Sequence, residues 1–320
     1  MKTFYWLVKR ELWEHRGGFL WTPIIVGGVF LLLNLMGIIT GEVMGGRHGF
    51  NITLGSSNNM NLLARALDQQ SMATVGAGLD MVMYSPTMII GMVLGFVVFF
   101  YCLGALYDDR RDRSLLFWKS LPISDTATVL SKVVAATVVA PLIAIIVGTL
   151  TGILMLLMFA IALSLHGVSV WHLLTLSHPF QVIANLVGSI PLYVVWALPT
   201  VGWLLLCSAW SRSKPFLWAV VLPVAVGIVI GWFNLLGTVD VQNSWYWRHV
   251  VGRVLLSVFP GGWLTQVQNI GGDDPAEVLS SLGVMHTYAV LGSPNIWIGV
   301  AAAAAMLAGA IWFRRWRDDS

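Results

Sequence analysis

Charge is what this sequence has least of. Only 10% of its 320 residues are Asp, Glu, Lys or Arg, whereas 57% are hydrophobic and the mean hydropathy is +0.79. A soluble domain carries about 25% charged residues, so the solvent around much of this chain is lipid. Apolar stretches of about 20 residues recur, and each is long enough for a membrane-spanning helix. We predict an all-α, polytopic integral membrane protein.

Cysteine is equally scarce. The two cysteines, Cys102 and Cys207, both fall inside apolar stretches. We therefore predict buried free thiols and no disulfide framework. The net charge of +3 does not indicate nucleic acid as a partner, because membrane topology accounts for the positions of the basic residues.

The sequence also lacks the usual signatures of catalysis and nucleotide binding. It contains no His-Glu-x-x-His motif, no Gly-x-Ser-x-Gly elbow and no Gly-x4-Gly-Lys-Ser/Thr phosphate loop. His166, His172 and His178 do not align on one helical face, so we predict no metal site. We expect no enzyme activity from this chain by itself. If ATP drives it, another polypeptide binds the nucleotide.

The apolar stretches set the topology. An even number of spans places both termini on one side, and the segments on that side hold fourteen of the eighteen Lys and Arg residues. The positive-inside rule then places both termini in the cytoplasm. Two long outer segments, 41–85 and 237–294, hold the other four basic residues. Within the second of these segments we predict a short interfacial helix at 250–259. The six predicted spans are 19–40, 86–107, 132–163, 182–210, 216–236 and 295–313.

Residues 1–18 predict an amphipathic elbow helix that lies on the membrane surface ahead of the first span. Glu11 interrupts its apolar side. Such a helix either transmits movement or simply anchors the chain. The apolar residues at helical spacing are Phe4, Leu7, Val8 and Leu12.

Prolines and glycines shape the predicted spans. A proline inside a span removes a backbone donor and favours a kink. Gly-x3-Gly pairs allow helices to approach closely, and we favour packing within one chain over a dimer seam. The prolines are Pro141, Pro199 and Pro223, and the glycine pairs begin at Gly91, Gly148 and Gly227.

The densest block of charge lies between the second and third predicted spans, in the loop 108–131. Asp109 and Asp112 are placed to cap the N-terminus of a short helix. Pro122 discourages continuation of that helix. Ser124 is then placed to cap a new helix that leads into the third span.

The stretch between these caps, residues 113–121, predicts a short cytoplasmic helix rich in apolar residues. A solvated loop has no need of Phe117 and Trp118. Large amphipathic and apolar rings at such a position favour either the lipid headgroup layer or a groove on a partner protein.

The run from Asp109 to Ser124, followed by Lys132, resembles the loop after the second span in ABC-2 type transporter permeases. The shared pattern is a charged start, a small residue, an apolar helix, the Leu-Pro-apolar-Ser motif and a lysine at the start of the next span. The family has Gly-Thr where this chain has Arg113-Ser114. The topology is similar as well, with an N-terminal elbow helix, six spans and both termini inside.

The resemblance implies an ABC-2 type exporter fold in the bacterial inner membrane. In that family two permease copies, identical or homologous, join two ABC ATP-binding subunits, which bind the ATP and Mg. This chain would bind no cofactor itself, and its other partner would be membrane lipid. The expected cargo is an amphipathic, peptide-like or antibiotic-like molecule.

The resemblance also implies that residues 113–121 are the coupling helix, which seats in a groove of the ATP-binding subunit. Phe117 and Trp118 would be its anchors, since buried aromatic residues dominate such contacts. The residues to which the coupling role carries over are Asp109, Arg110, Asp112, Arg113, Ser114, Leu116, Phe117, Trp118, Lys119, Leu121 and Pro122.

Two alternative functions stay open. An ABC-2 type membrane subunit can serve signalling or mechanical transmission without moving a solute. A membrane-embedded enzyme would need a nucleophile and a base on facing spans. Stimulation of the partner ATPase by a substrate would indicate transport, whereas its control by a protein partner would indicate the mechanical role.

Overall fold

The computed structural model describes residues 2–45, 72–111, 123–164, 175–236, 243–263 and 283–316. Within these residues the regular structure is entirely helical, and six helices are long and apolar enough to cross a membrane. Each of the six predicted spans overlaps one of these helices, which confirms six helices of membrane-spanning length and apolarity. In chain order, spans 1 to 6 are Gly17–Gly41, Gly76–Arg111, Asp125–Ala162, Pro179–Trp210, Leu217–Leu235 and Pro294–Trp316.

Several spans are built from more than one helical segment. Span 2 is part of a single helix that begins well before the predicted residue 86. The N-terminal α-helix is Lys2–Glu14, the α-helix of span 1 is Thr22–Gly45 and that of span 2 is Met72–Arg111. Span 3 is formed by Asp125–Val134 and Ala140–Ser164, and span 4 by Pro179–Gly188 and Ile190–Trp210. The α-helix of span 5 is Leu222–Leu235, and that of span 6 is Pro294–Trp316. π-Helical turns at Gly17–Trp21, Ala135–Val139 and Leu217–Val221 complete spans 1, 3 and 5.

The three π turns within the spans have a common cause, whereas a fourth π turn, at Trp247–Val251, is not followed by a proline two residues later. Each of the three is followed, two residues later, by a proline: Pro23, Pro141 or Pro223. A proline lacks the N–H that an α-helix needs and its ring collides with the carbonyl one turn earlier. A wider turn at that point relieves the collision. Pro199, by contrast, lies within the α-helix Ile190–Trp210.

Spans 2, 3 and 4 form the centre of the bundle. In the most apolar window of each span, 56% and 61% of the residues of spans 2 and 4 are buried, against 6% for span 1 and 17% for spans 5 and 6. Spans 1, 5 and 6 therefore leave most of their surface uncovered by the rest of the described chain. Cys102 and Cys207 are buried free thiols in the centre, as predicted.

The glycine pairs pack within this chain. A Cβ atom added at Gly152 would lie 2.7 Å from the carbonyl oxygen of Met83, so a side chain there would collide with the backbone of span 2. Gly95 packs against the side chain of Phe259, and Gly227 packs against the side chain of Trp247. These contacts confirm the intrachain packing that we favoured.

The inserted segment, residues 243–263, differs from expectation. Its helical part runs over 243–255, not 250–259, and it packs among the spans. Val258 is fully buried, and the Tyr193 hydroxyl donates a 2.6 Å hydrogen bond to the Val258 carbonyl. Because span 4 supplies partners for the backbone, the segment can enter the bundle although it has no long apolar run.

The N-terminal helix, Lys2–Glu14, is present, and its position on a membrane surface stays a prediction. Its buried residues are Leu7 and Glu11, whereas Phe4 is exposed. The predicted apolar stripe is therefore only partly the packed face. The carboxylate that interrupts the stripe lies at the centre of that face.

Candidate functional site

Five buried or half-buried charges meet at the end of the bundle that carries the N-terminal helix and the end of span 6. They come from the N-terminal helix, the last turn of span 2, the first helix of span 3 and the last turn of span 6. We call this cluster the ionic junction. Its members are Glu11, Asp109, Asp125, Lys132 and Arg314.

Glu11 is fully buried at the centre of the junction. Its carboxylate accepts hydrogen bonds from the Tyr101 hydroxyl at 2.8 Å and from Arg10 at 2.7 Å, and Lys132 Nζ lies 3.2 Å from both of its oxygens. Burial acts to raise the pKa of Glu11, but Lys132, the Tyr101 hydrogen bond and Arg10 together hold that pKa below its usual range. Glu11 is therefore a carboxylate at neutral pH.

From Glu11 the charges alternate in sign across the bundle. Lys132 Nζ is 3.4 Å from Asp109 Oδ2, and the same oxygen lies 3.3 Å from Arg314 Nη1. Arg314 Nε is 3.1 Å from Asp125 Oδ1. Buried ions are tolerated when opposite charges and hydrogen bonds surround them, and here each buried cation lies between two carboxylates.

Local sequence explains why span 3 contributes two of these charges. Ser124 caps the helix, since its hydroxyl accepts the Ala127 N–H at 3.2 Å, which confirms the predicted cap. Asp125 and Lys132 follow seven residues apart, so the two side chains share one helical face. One then reaches Arg314 and the other reaches Glu11.

The capping role predicted for Asp109 is wrong. The helix of span 2 continues to Arg111, so Asp109 lies in the last turn of that helix and not ahead of a new one. A carboxylate is unfavourable at a helix C-terminus. Here Lys132 and Arg314 offset that penalty, which explains why the helix can continue through an acidic residue.

Arg110 joins the end of span 2 to the end of span 4. Its guanidinium donates hydrogen bonds to the carbonyls of Ser208 and Ser211, where the helix of span 4 ends. The Ser208 hydroxyl in turn accepts the backbone N–H groups of Leu106 and Tyr107. Arg110 therefore fixes two helix ends against each other beside the junction.

Two of the predicted coupling residues, Asp109 and Arg110, are thus placed by the structure, and both bind neighbouring helices. The described residues stop at 111 and resume at 123. The other predicted coupling residues lie outside them, and their coupling role stays a prediction. They are Asp112, Arg113, Ser114, Leu116, Phe117, Trp118, Lys119, Leu121 and Pro122.

Sequence reasoning missed four of the five junction members as site residues: Glu11, Asp125, Lys132 and Arg314. Glu11 carried a signal: a carboxylate on the apolar side of an amphipathic helix predicts a buried cation partner. Arg314 carried none, because a basic residue at the end of a span is ordinary in membrane proteins. In comparisons with known proteins, no family model, curated protein or solved structure matches this chain.

Proposed function

We propose that this chain is the permease subunit of an ATP-driven ABC-2 type transporter, whose ATP is bound and hydrolysed by separate subunits. The proposal places both termini in the cytoplasm of a bacterium and the spans in its inner membrane. It rests on the resemblance of the 109–124 run with Lys132, and it is supported by six membrane-spanning helices behind an N-terminal helix.

One observation carries the proposal beyond resemblance. Arg314 binds Asp109 at 3.3 Å and Asp125 at 3.1 Å, and these two carboxylates flank the proposed coupling loop on either side. The last turn of span 6 therefore ties together the two points at which the loop leaves the bundle.

The junction gives the proposed coupling a physical route. A displacement of the loop by a partner moves Asp109 or Asp125 first. Arg314 passes the displacement to span 6, and Lys132 passes it to span 3 and to Glu11 on the N-terminal helix. Because the two cations are almost fully buried and paired, they move with their helices and do not reorient in solvent.

The cargo that fits the proposal is an amphipathic, peptide-like or antibiotic-like molecule moved outward. Two copies of the chain, or this chain with a homologous permease, would work with two ATP-binding subunits. A second function, mechanical transmission without transport, would use the same junction. Stimulation of the complex's ATPase activity by a cargo candidate in reconstituted vesicles separates the two.

The test is co-purification with candidate ATP-binding subunits encoded near this protein's gene. We expect a stable complex in detergent, and we expect the double change Phe117→Ala with Trp118→Ala to abolish it, because these rings are the proposed anchors. The matched control is Trp13→Ala, which removes an exposed ring of the N-terminal helix. A complex that survives the double change, or no complex with any ATP-binding subunit, would contradict the proposal.

A further inference from the structure

A second buried charge lies far from the junction, in the inserted segment. The Arg253 side chain is 8% exposed and lies between spans 4 and 6. Its position is fixed, since the Arg253 carbonyl accepts hydrogen bonds from the hydroxyls of Thr200 at 2.9 Å and Ser257 at 2.8 Å. Its guanidinium carbon lies 3.8 Å from the centroid of the Trp196 ring.

No described side chain neutralises this guanidinium. Within the described residues, Nη1 and Nη2 of Arg253 are buried and make no hydrogen bond. Among the described residues, its guanidinium makes a cation–π contact with Trp196. An ionisable group inside a membrane bundle is expensive, and one that is not paired with another charge is expected where it meets a ligand or a pathway.

Arg253 lines a cavity of about 290 Å³ between the inserted segment and span 6. One part of the lining is polar, with His249 and Asn295 beside Arg253. The other part is apolar, with Ile298 and Met306 from span 6. Ile298 is largely exposed on the lipid-facing side of span 6, so the apolar part borders lipid.

Span 6 is shaped to admit the guanidinium. A Cβ atom at Gly299 would lie 2.7 Å from Arg253 Nη2 and 3.2 Å from Pro199. A larger residue at this position would therefore displace the charged group. A glycine at position 299 of span 6 therefore leaves the space that the Arg253 guanidinium occupies.

We propose that this cavity binds an amphipathic anion, a phosphate or carboxylate head group carried on an apolar chain. The planar guanidinium offers two parallel N–H donors to such a head group, and Asn295 offers an amide. The chain lies along Ile298 and Met306 toward the lipid. A volume near the lower end of the usual 300–1,000 Å³ range for ligand pockets suits a head group with a short length of chain. The site does not depend on the proposed transport function.

The test uses the full-length protein in a neutral detergent, with native mass spectrometry as the readout. The probe is lysophosphatidic acid with a twelve-carbon chain; lysophosphatidylcholine and inorganic phosphate are its comparisons. We expect lysophosphatidic acid to bind at least tenfold more tightly than either. We expect Arg253→Met to abolish that preference, and Arg248→Met, an exposed arginine of the same segment, to leave it within twofold.

The source of the natural ligand is read from the same spectra. A phospholipid that stays bound to the wild-type protein after purification, and is absent from Arg253→Met, assigns the site to membrane lipid. A protein that is isolated empty and then binds lysophosphatidic acid assigns it to a separate amphipathic molecule. Equal binding of the zwitterionic lipid, equal binding of inorganic phosphate, or an unchanged preference in Arg253→Met would overturn the proposal.

A second variant separates binding from folding. Gly299→Ala keeps the charge of Arg253 but displaces its guanidinium, so we expect at least a fivefold loss of lysophosphatidic acid affinity. Gly292→Ala is the control, because a Cβ there meets no atom within 4 Å. Lysophosphatidic acid is expected to raise the melting temperature of the wild type but not of Arg253→Met. A lower melting temperature in Arg253→Met and Gly299→Ala, with lysophosphatidic acid binding unchanged, would assign Arg253 a purely structural role and contradict the site.

Discussion

The two ends of the bundle treat buried charge in opposite ways. At the ionic junction, Lys132 is 2% exposed and lies within 3.4 Å of carboxylates from two other helices. In the inserted segment, Arg253 is 8% exposed, and its terminal nitrogens find no partner among the described residues. A charge that the protein itself neutralises holds helices together. A charge that the described residues leave without a hydrogen bond is one that a ligand can neutralise.

The largest loss of stability is expected from a substitution that breaks the ionic junction. Lys132→Met leaves Glu11 and Asp109 without their shared cation in a buried site, and removal of one partner of a buried pair costs about 3–5 kcal/mol. Thermal unfolding in detergent measures the loss, with Lys214→Met at an exposed position as the control. Adding Glu11→Gln to Lys132→Met should recover part of the loss, because it removes the stranded carboxylate. An unchanged melting temperature in Lys132→Met would show that the junction does not stabilise the fold.

A smaller effect is expected at the edge of the junction. Asp109 and Asp125 are 17% and 27% exposed, so water partly compensates them when Arg314 is removed. We expect Arg314→Met to lower the free energy of unfolding by about 2 kcal/mol. The neighbouring exposed Arg315→Met should lower it by less than about 0.5 kcal/mol. In the complex with an ATP-binding subunit, Arg314→Met should also lower cargo-stimulated ATPase activity; equal behaviour of the two variants would argue against a tie between the loop flanks.

At the other end of the bundle, we expect a substitution of the buried charge to stabilise the protein instead of destabilising it. Arg253→Met removes a buried charge that no described side chain neutralises, and a methionine fills a similar volume. We expect the free energy of unfolding of the ligand-free protein to rise, on the order of 1 kcal/mol. The lost cation–π contact with Trp196 works against this gain. Thermal unfolding in neutral detergent measures the change, and a fall as large as that of Lys132→Met would remove the contrast between the two ends.

The smallest effect concerns pH. The pKa of Glu11 in the folded protein lies below its ordinary value of 4.5, so this residue contributes stability that is fully present above pH 4.5. The contribution is lost as the pH falls through the lower folded pKa. Between these two values the unfolded chain binds more protons, so stability falls with falling pH. Melting temperatures should therefore decline more steeply below pH 4.5 in the wild type than in Glu11→Gln, and parallel slopes would contradict the assignment.

The sequence was sufficient for the features that depend on neighbouring residues. Each span is a local run of apolar side chains, and the cap at Ser124 is a local bond to Ala127. The junction could not be derived in this way, because Glu11 and Lys132 are 121 residues apart and meet only after the bundle has packed. The inserted segment was missed for a related reason. Its Trp and Arg residues are typical of a membrane–water interface, whereas hydrogen-bond partners on span 4 hold the segment inside the helical bundle.

The π turns that precede Pro23, Pro141 and Pro223 have a consequence for how the bundle deforms. Each interrupts the regular ladder of backbone hydrogen bonds in its helix. The turn at Ala135–Val139 begins three residues after Lys132, and the turn at Gly17–Trp21 carries Phe19, whose ring contacts Tyr101 at 4.9 Å. These two irregular turns therefore lie directly beside the ionic junction. When a partner displaces the loop, we expect the junction to move as one rigid unit while spans 1 and 3 bend at these turns. In a hydrogen–deuterium exchange measurement, the amides of 135–139 should then exchange before those of 144–156.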